Sequence, residues 1–276
     1  VGLFAPIFIA GKLVDGAYPA LAIVVMRYVG GFLTLWAFIL LSRTPLEALK
    51  SPKPSRHFVR ACLGIGGGVF VIHATTVMPV ANATAIGLTE GIMIIALAGL
   101  LLKETITARH WLAGFIGMVG AGLVVWQSID PSATGFGSWE GIAAAFAGAL
   151  FMTLEALLIK YLSSREDPLR MLLYVNGFGA IISITLCMVL FGWQILADPI
   201  LLMFLSLGPL AIIAQYFNIR AFMLVNASTL APIMYSWIIF AALLGYFLFA
   251  EVPTFIAFVG SGLIVAGGVV TSKVRS

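Results

Sequence analysis

A chain of 276 residues that is 62% hydrophobic and only 9% charged cannot hide its apolar surface inside a soluble core, which excludes a soluble enzyme or binding domain. The net charge of +4 does not mark a nucleic-acid binder, because the basic residues punctuate short loops between apolar runs. Cys62 and Cys187 both sit in apolar stretches and exclude a disulfide framework or a cysteine metal site. No metal, cofactor or nucleic-acid partner is expected.

Ten apolar segments follow in order: 1–14, 19–42, 57–77, 81–102, 109–127, 139–161, 169–192, 199–223, 227–250 and 253–271. The first is too short to span alone, so its helix is expected to begin before residue 1. Connections are short. The longest polar one, Ser42–Arg60, holds Arg43, Lys50, Lys53, Arg56 and Arg60. Thirteen of the fifteen Lys and Arg residues fall at the ends of even-numbered segments; the other two are Lys12 and Arg27. Asp15, Asp130, Glu140, Asp198 and Glu251 mark the opposite side. By the positive-inside rule both termini are predicted cytoplasmic.

The chain also repeats itself. ANATAIGLTEGIMIIALAGLLLKET (81–105) precedes a glycine-rich follower, HWLAGFIGMVGAGLVV. NASTLAPIMYSWIIFAALLGYFLFAEVP (226–253) precedes FIAFVGSGLIVAGGVV. Each half holds five crossings, an odd number, so the second half is inverted relative to the first. The expected architecture is all-α and polytopic. Ten transmembrane helices form two inverted five-helix repeats, residues 1–128 and 139–272, around a central cavity. Inverted repeats place a substrate site near the midplane between them.

Segment 9 is the most informative crossing. Pro232 interrupts it one turn in, and Tyr235, Ser236 and Trp237 follow. A proline frees a backbone carbonyl, which in a bilayer must face protein or a water-filled cavity. These four residues are therefore candidates for the cavity wall. Gln215 and Tyr216 of segment 8 are polar groups that should face protein or cavity, and helix–helix glue is the competing role.

Ionisable groups inside membrane segments are functional candidates. Glu90 lies near mid-membrane in segment 4; it could carry a proton, bind a substrate ammonium, or pair with Arg27. Glu155 in segment 6 is a second candidate, or half of a salt bridge near the interface. His73 in segment 3 could couple protons, alone or with Glu90. Lys12 is long enough to snorkel to an interface. Gly64 and Gly68 in segment 3, Ala113, Gly117 and Ala121 in segment 5, and Gly262 and Ala266 in segment 10 favour close helix packing, within a monomer or across a weak dimer.

The ten segments, the two halves and the pattern Ala227, Pro232, Tyr235, Gly245, Phe249, Glu251 and Pro253 resemble the drug/metabolite transporter superfamily, EamA type. Pro79, Ala81, Ala83–Ile86, Leu102–Glu104 and Trp111 fit the same pattern in the first half. Gly91 stands where many members carry a proline. Within the superfamily the chain looks most like the YddG-type aromatic amino-acid exporters. The resemblance implies a ten-helix, basket-shaped transporter of the inner membrane that exports amino acids with aromatic or apolar side chains. Efflux of lipophilic cations is the alternative cargo. An intramembrane enzyme is the alternative class, but the sequence holds no His-Glu-x-x-His and no Gly-x-Ser-x-Gly. It also holds no P-loop, so nucleotide does not drive the process directly.

Overall fold

The computed structural model describes residues 2–4, 6, 18–78, 80–126, 139–249 and 255–272. Among them all regular structure is helical. Eight stretches are long and apolar enough to cross a bilayer: Leu21–Leu41, Pro54–Thr75, Asn82–Leu101, Ala108–Trp126, Trp139–Ser163, Pro168–Phe191, Pro199–Leu224 and Ala227–Leu248. Phe255–Thr271 is a shorter apolar helix. The expected ten crossings thus meet eight long spans and one shorter one. Most of segment 1, with Lys12, lies outside the described residues.

The helices are α1 (Ala20–Leu41), α2 (Pro54–Val77), α3 (Val80–Gly87), α4 (Thr89–Leu101), α5 (Ala108–Trp126) and α6 (Trp139–Ser163). They continue with α7 (Pro168–Phe191), α8 (Leu207–Leu224), α9 (Ala227–Met234), α10 (Ser236–Phe249) and α11 (Phe255–Ser272). Proline sets two long starts. Pro54 and Pro168 open α2 and α7 in the first turn, where a missing N–H costs nothing. Asp167 caps α7 by accepting from the Leu169 N–H at 2.8 Å. Asp198 and Pro199 repeat the device with the Ile200 N–H, also at 2.8 Å. They start only a one-turn helix, Pro199–Leu202, and a 3-10 stretch, Met203–Ser206, leads on into α8. Segment 8 is therefore an irregular crossing rather than one continuous α-helix.

Two crossings are broken, and the breaks meet. Segment 9 divides at Tyr235, between α9 and α10, and segment 4 divides at Leu88, between α3 and α4. The second break needs no proline. The Tyr235 hydroxyl donates to the Leu88 carbonyl at 2.7 Å and offers it a partner outside its own helix. Gly91 makes room, since a Cβ there would collide with the Tyr235 phenol. Across the joint, a Cβ on Gly117 of α5 would lie 2.8 Å from the Tyr235 ring and 3.6 Å from the Pro232 carbonyl oxygen. Tyr235→Phe is expected to cost about 1 kcal/mol, the scale of a hydrogen bond inside a membrane protein. Gly91→Ala should cost more, because its Cβ overlaps the phenol. Thermal unfolding in detergent, followed by tryptophan fluorescence, ranks the two variants.

Glycines also decide which helices approach closely. A Cβ on Gly120 of α5 would sit 2.5 Å from the Gly260 carbonyl of α11, and one on Gly260 would strike the Gly120 carbonyl. A Cβ on Gly267 would come 2.9 Å from the Ala113 carbonyl. The α11 face is therefore Gly260, Ile264 and Gly267. Gly262, with open space around it, and Ala266 point away from α5. On α2 the residues facing α6 are Gly64, Gly66 and Gly67, against Glu155, Phe151 and Met152, while Gly68 meets nothing. A four-residue glycine spacing fits more than one helix face, which is why Gly262 and Gly68 are not the contact residues.

The buried core is uneven along the bundle. The basic end holds Arg43, Lys50 and Lys53 between α1 and α2, Arg165 between α6 and α7, and Arg56 and Arg170 in the first turns of α2 and α7. There one continuous cluster joins α1, α4, α6, α7, α8 and α9 through Leu35, Ile95, Leu162, Leu172, Phe222 and Ala227. Toward the other end the core divides. Leu21, Met26, Cys187 and Leu201 form one cluster, and Ala74, Met78, Ala83 and Ala144 another. A third surrounds the joint of the two breaks, with Leu88, Val124, Tyr235 and Ile264, and a fourth joins α1, α2 and α7 through Tyr28, Ile65 and Ala180. Among the described residues the buried core is one cluster at the basic end and is split into smaller clusters toward the opposite end.

Candidate functional site: a charged cluster inside the bundle

Arg60 is buried. It lies in the second turn of α2, 2% exposed, and not in the loop where its basic neighbours Arg43, Lys50 and Lys53 suggested it would be. It stands at the very start of segment 3, where the sequence groups it with the basic loop before it, but α2 begins at Pro54 and carries it into the bundle. The partner is Glu155 of α6, with Arg60 Nε 3.5 Å from Glu155 Oε1. Among the described residues, neither Nε nor Nη1 of Arg60 has a hydrogen-bond acceptor. The Glu155 side chain remains 20% exposed and rests on Gly64, where a Cβ would lie 2.8 Å from Oε2.

Two more charges reach the same region. Arg27 of α1 interacts electrostatically with both Arg60 and Glu155, and its guanidinium stacks 4.0 Å over the Tyr28 ring. Glu90 of α4 interacts with Glu155. No Arg27–Glu90 ion pair forms among the described residues, and the partner of Glu155 is Arg60. Thr153 of α6 reaches the Glu90 carbonyl oxygen at 3.4 Å and ties the two helices at this level. Two arginines and two glutamates from four helices therefore share one intramembrane region. A charge in that position is costly, and its usual reason is a ligand or ion path.

The other sequence candidates lie elsewhere. Pro232 and Tyr235 are buried in the joint of the two breaks, where Gly117 of α5 lies against the Tyr235 ring and the Pro232 carbonyl. Ser236 and Trp237 are half-buried beside it, and Trp237 packs on the third core cluster. Gln215 is buried and accepts from the Asn176 side-chain amide at 3.3 Å. Asn176, which sequence reading passed over, also donates to the Leu172 carbonyl and leaves its own Oδ1 without a donor. Tyr216 points outward, 42% exposed, edge-on to Phe217. His73 pairs with Glu140 at 2.9 Å near the split end. Thirteen helical residues separate it from Arg60, about 20 Å along α2.

At the basic end the connection between α8 and α9 is held from both sides. Glu104 accepts from the Ala227 N–H at 2.8 Å, the Ser228 N–H at 3.0 Å and the Ser228 hydroxyl at 2.7 Å. This caps the start of α9 with a carboxylate. Lys160 donates to the Phe222 and Val225 carbonyls at 2.8 and 2.7 Å, which caps the end of α8. A Ser51–His57–Glu166 cluster also sits at this end, but it does not form a relay. Ser51 Oγ and Glu166 Oε2 both meet His57 Nε2 at 3.0 Å, and Nδ1 has no partner among the described residues. A nucleophile and an orienting carboxylate need opposite ring nitrogens.

Comparison with known proteins gives the same class. A crystal structure of a protein 20% identical in sequence superimposes with a TM-score of 0.81, over 98% of this chain and 93% of that one. Similar sequences include an S-adenosylmethionine uptake transporter of Rickettsia prowazekii, 28% identical over 75% of this chain and 68% of that protein. A riboflavin transporter of Rhizobium johnstonii is 26% identical over 91% and 80%. The pseudopaline exporter CntI of Pseudomonas aeruginosa is 25% identical over 96% and 90%. These relatives are membrane transporters, not enzymes. The model of the EamA-like transporter family matches residues 3–126 and again 139–273, and the chain belongs to that family.

Proposed function

We propose that this chain is a secondary transporter of the inner membrane that exports small zwitterionic metabolites, amino acids with aromatic or apolar side chains first. The observation that carries the reading is the Arg27–Arg60–Glu90–Glu155 cluster, which supplies both charges an amino acid needs inside an apolar bundle. Two inverted repeats of five crossings are the frame. The paired breaks at Leu88 and Tyr235 support it, as does the pairing of α1 with α7, of α4 with α9 and of α5 with α11. The basic end is the cytoplasmic end under the positive-inside rule. Cytoplasmic opening must part the α8–α9 connection from Glu104 and Lys160. Tyr235 and Pro232 belong to the joint about which the halves rock, and Trp237 and Ser236 to its cavity side.

The relatives include both an uptake transporter and an exporter, so direction follows the gradients rather than the fold. Counterflow in proteoliposomes tests the reading. Vesicles loaded with phenylalanine or leucine should accumulate the labelled amino acid transiently, and Arg60→Gln should lower the initial rate at least about tenfold, the loss of a charged hydrogen-bond partner. No flux of any aromatic or apolar amino acid would overturn it. Faster movement of a tetraphenylphosphonium-type cation than of any amino acid would favour the cation cargo instead. Proton coupling at Glu90 is tested in the same vesicles. An imposed pH gradient should drive uptake by the parent protein and not by Glu90→Gln; His73→Gln, at the split end, tests whether the histidine shares that role.

A further inference from the structure

We propose that the Arg60 guanidinium is the subsite for a carboxylate on the transported molecule, and that Glu155 holds this place until the substrate displaces it. The inference rests on the transporter reading and deepens it by naming the group that is recognised.

Burial is the first argument. A guanidinium carries five donors and no acceptor, and burying it unpaired is costly. Arg60 is 2% exposed, with Nε and Nη1 both without acceptors among the described residues. The single carboxylate oxygen near it stands at 3.5 Å, long for a charge-assisted hydrogen bond. With Nη1 lacking an acceptor and Nε holding only this long contact, the guanidinium is under-coordinated, and its planar face can take the two oxygens of a carboxylate once Glu155 leaves.

Displaceability is the second argument. Glu155 is the more exposed member of the pair. It packs on Gly64, which offers no side chain to hold it. Arg27 is engaged with the Tyr28 ring rather than with an acid, so a second cation is near without being neutralised by contact.

Charge balance decides between ligands. The four residues sum to zero when all are ionised, and each uncompensated buried charge costs several kcal/mol. A zwitterion preserves that zero. Its carboxylate takes Arg60, and Glu155, released, meets the substrate ammonium together with Glu90. Glu90 has no cation within ion-pair distance among the described residues. A phosphate monoester would add net negative charge and leave it unpaired.

The test uses phenylalanine, phenylalaninamide, 3-phenylpropanoate and phenyl phosphate, read twice. One readout is competition in counterflow. The other is the shift in thermal unfolding of the detergent-purified chain, which needs no transport. Phenylalaninamide, lacking the carboxylate, should compete at least about tenfold more weakly than phenylalanine. Arg60→Gln should bring that ratio near one. Arg60→Lys, which keeps the charge and loses the fork, should leave an intermediate ratio and serves if the glutamine variant does not fold. Glu155→Gln should tighten 3-phenylpropanoate several-fold, because the internal competitor is weakened; a salt bridge needed only for folding would not produce that gain. Equal competition by acid and amide in the parent protein, an unchanged ratio in Arg60→Gln, or a preference for phenyl phosphate would each overturn the proposal. Flux without acid–amide discrimination removes the subsite and leaves the transporter. Carboxylate-selective stabilisation without flux removes the transporter and leaves the subsite.

Discussion

Replacing Glu104 by alanine is expected to destabilise the protein by roughly 2–4 kcal/mol, the combined scale of a lost helix cap and of partly buried donors left without an acceptor. The carboxylate is the shared acceptor for two N–H groups of α9 and the Ser228 hydroxyl. It comes from the far side of α4, past Lys103, whose left-handed backbone (φ 57°) turns the chain so that Glu104 faces α9. Glutamine at this position should retain about half the stabilisation, since one of its terminal atoms can no longer accept. Ser228→Ala should lose only the hydroxyl contribution, about 1 kcal/mol. In a double-mutant cycle the Glu104→Ala and Ser228→Ala losses should therefore fall short of their sum. Thermal unfolding in detergent measures all three. A Glu104→Ala variant within about 0.5 kcal/mol of the parent would show that the cap contributes nothing beyond an ordinary surface residue.

The second large effect is expected at the α5–α11 crossing. Gly120→Leu should cost about 3 kcal/mol, at the upper end for overpacking. The obstacle is backbone rather than a side chain that can swing aside. A Cβ alone would meet the Gly260 carbonyl at 2.5 Å and the Ile264 N–H nitrogen at 2.8 Å. The two helices must separate, and with them the contact between the end of one half and the end of the other. Gly262→Leu is the control, because a Cβ there meets nothing within 4 Å. Folded yield after size-exclusion chromatography should fall sharply for the first and stay unchanged for the second. Equal yields would mean that the crossing tolerates separation.

Much of this architecture was legible because apolar runs and their basic flanks are local properties. Segment 1 aside, the described helices follow the predicted segments within a few residues, and Pro232 announced the break beside Tyr235. Other features are written in no single stretch. The break at Leu88 depends on a hydroxyl from 147 residues away. Arg60 reads as loop charge because Arg56 and His57 precede it; only the fold shows that α2 begins earlier and carries it inward beside Glu155. The aromatic residues drew attention as a cavity wall, yet Tyr235 is taken up by the joint. Gly262 and Ala266 matched the close-packing pattern as well as Gly260 and Gly267, because which face of α11 meets α5 is a tertiary outcome.

The charge cluster has a consequence for biosynthesis. Arg27, Arg60 and Glu90 all emerge before residue 128, leaving one positive charge in excess until α6 delivers Glu155. A charged residue inside a crossing resists insertion, by up to about 2.5–3.5 kcal/mol at a helix centre. The early crossings must then wait at the insertion machinery, incompletely released into lipid, until the later half is made. Cut into two coding units, the amino-terminal piece should be degraded when expressed alone and rescued when its counterpart is supplied.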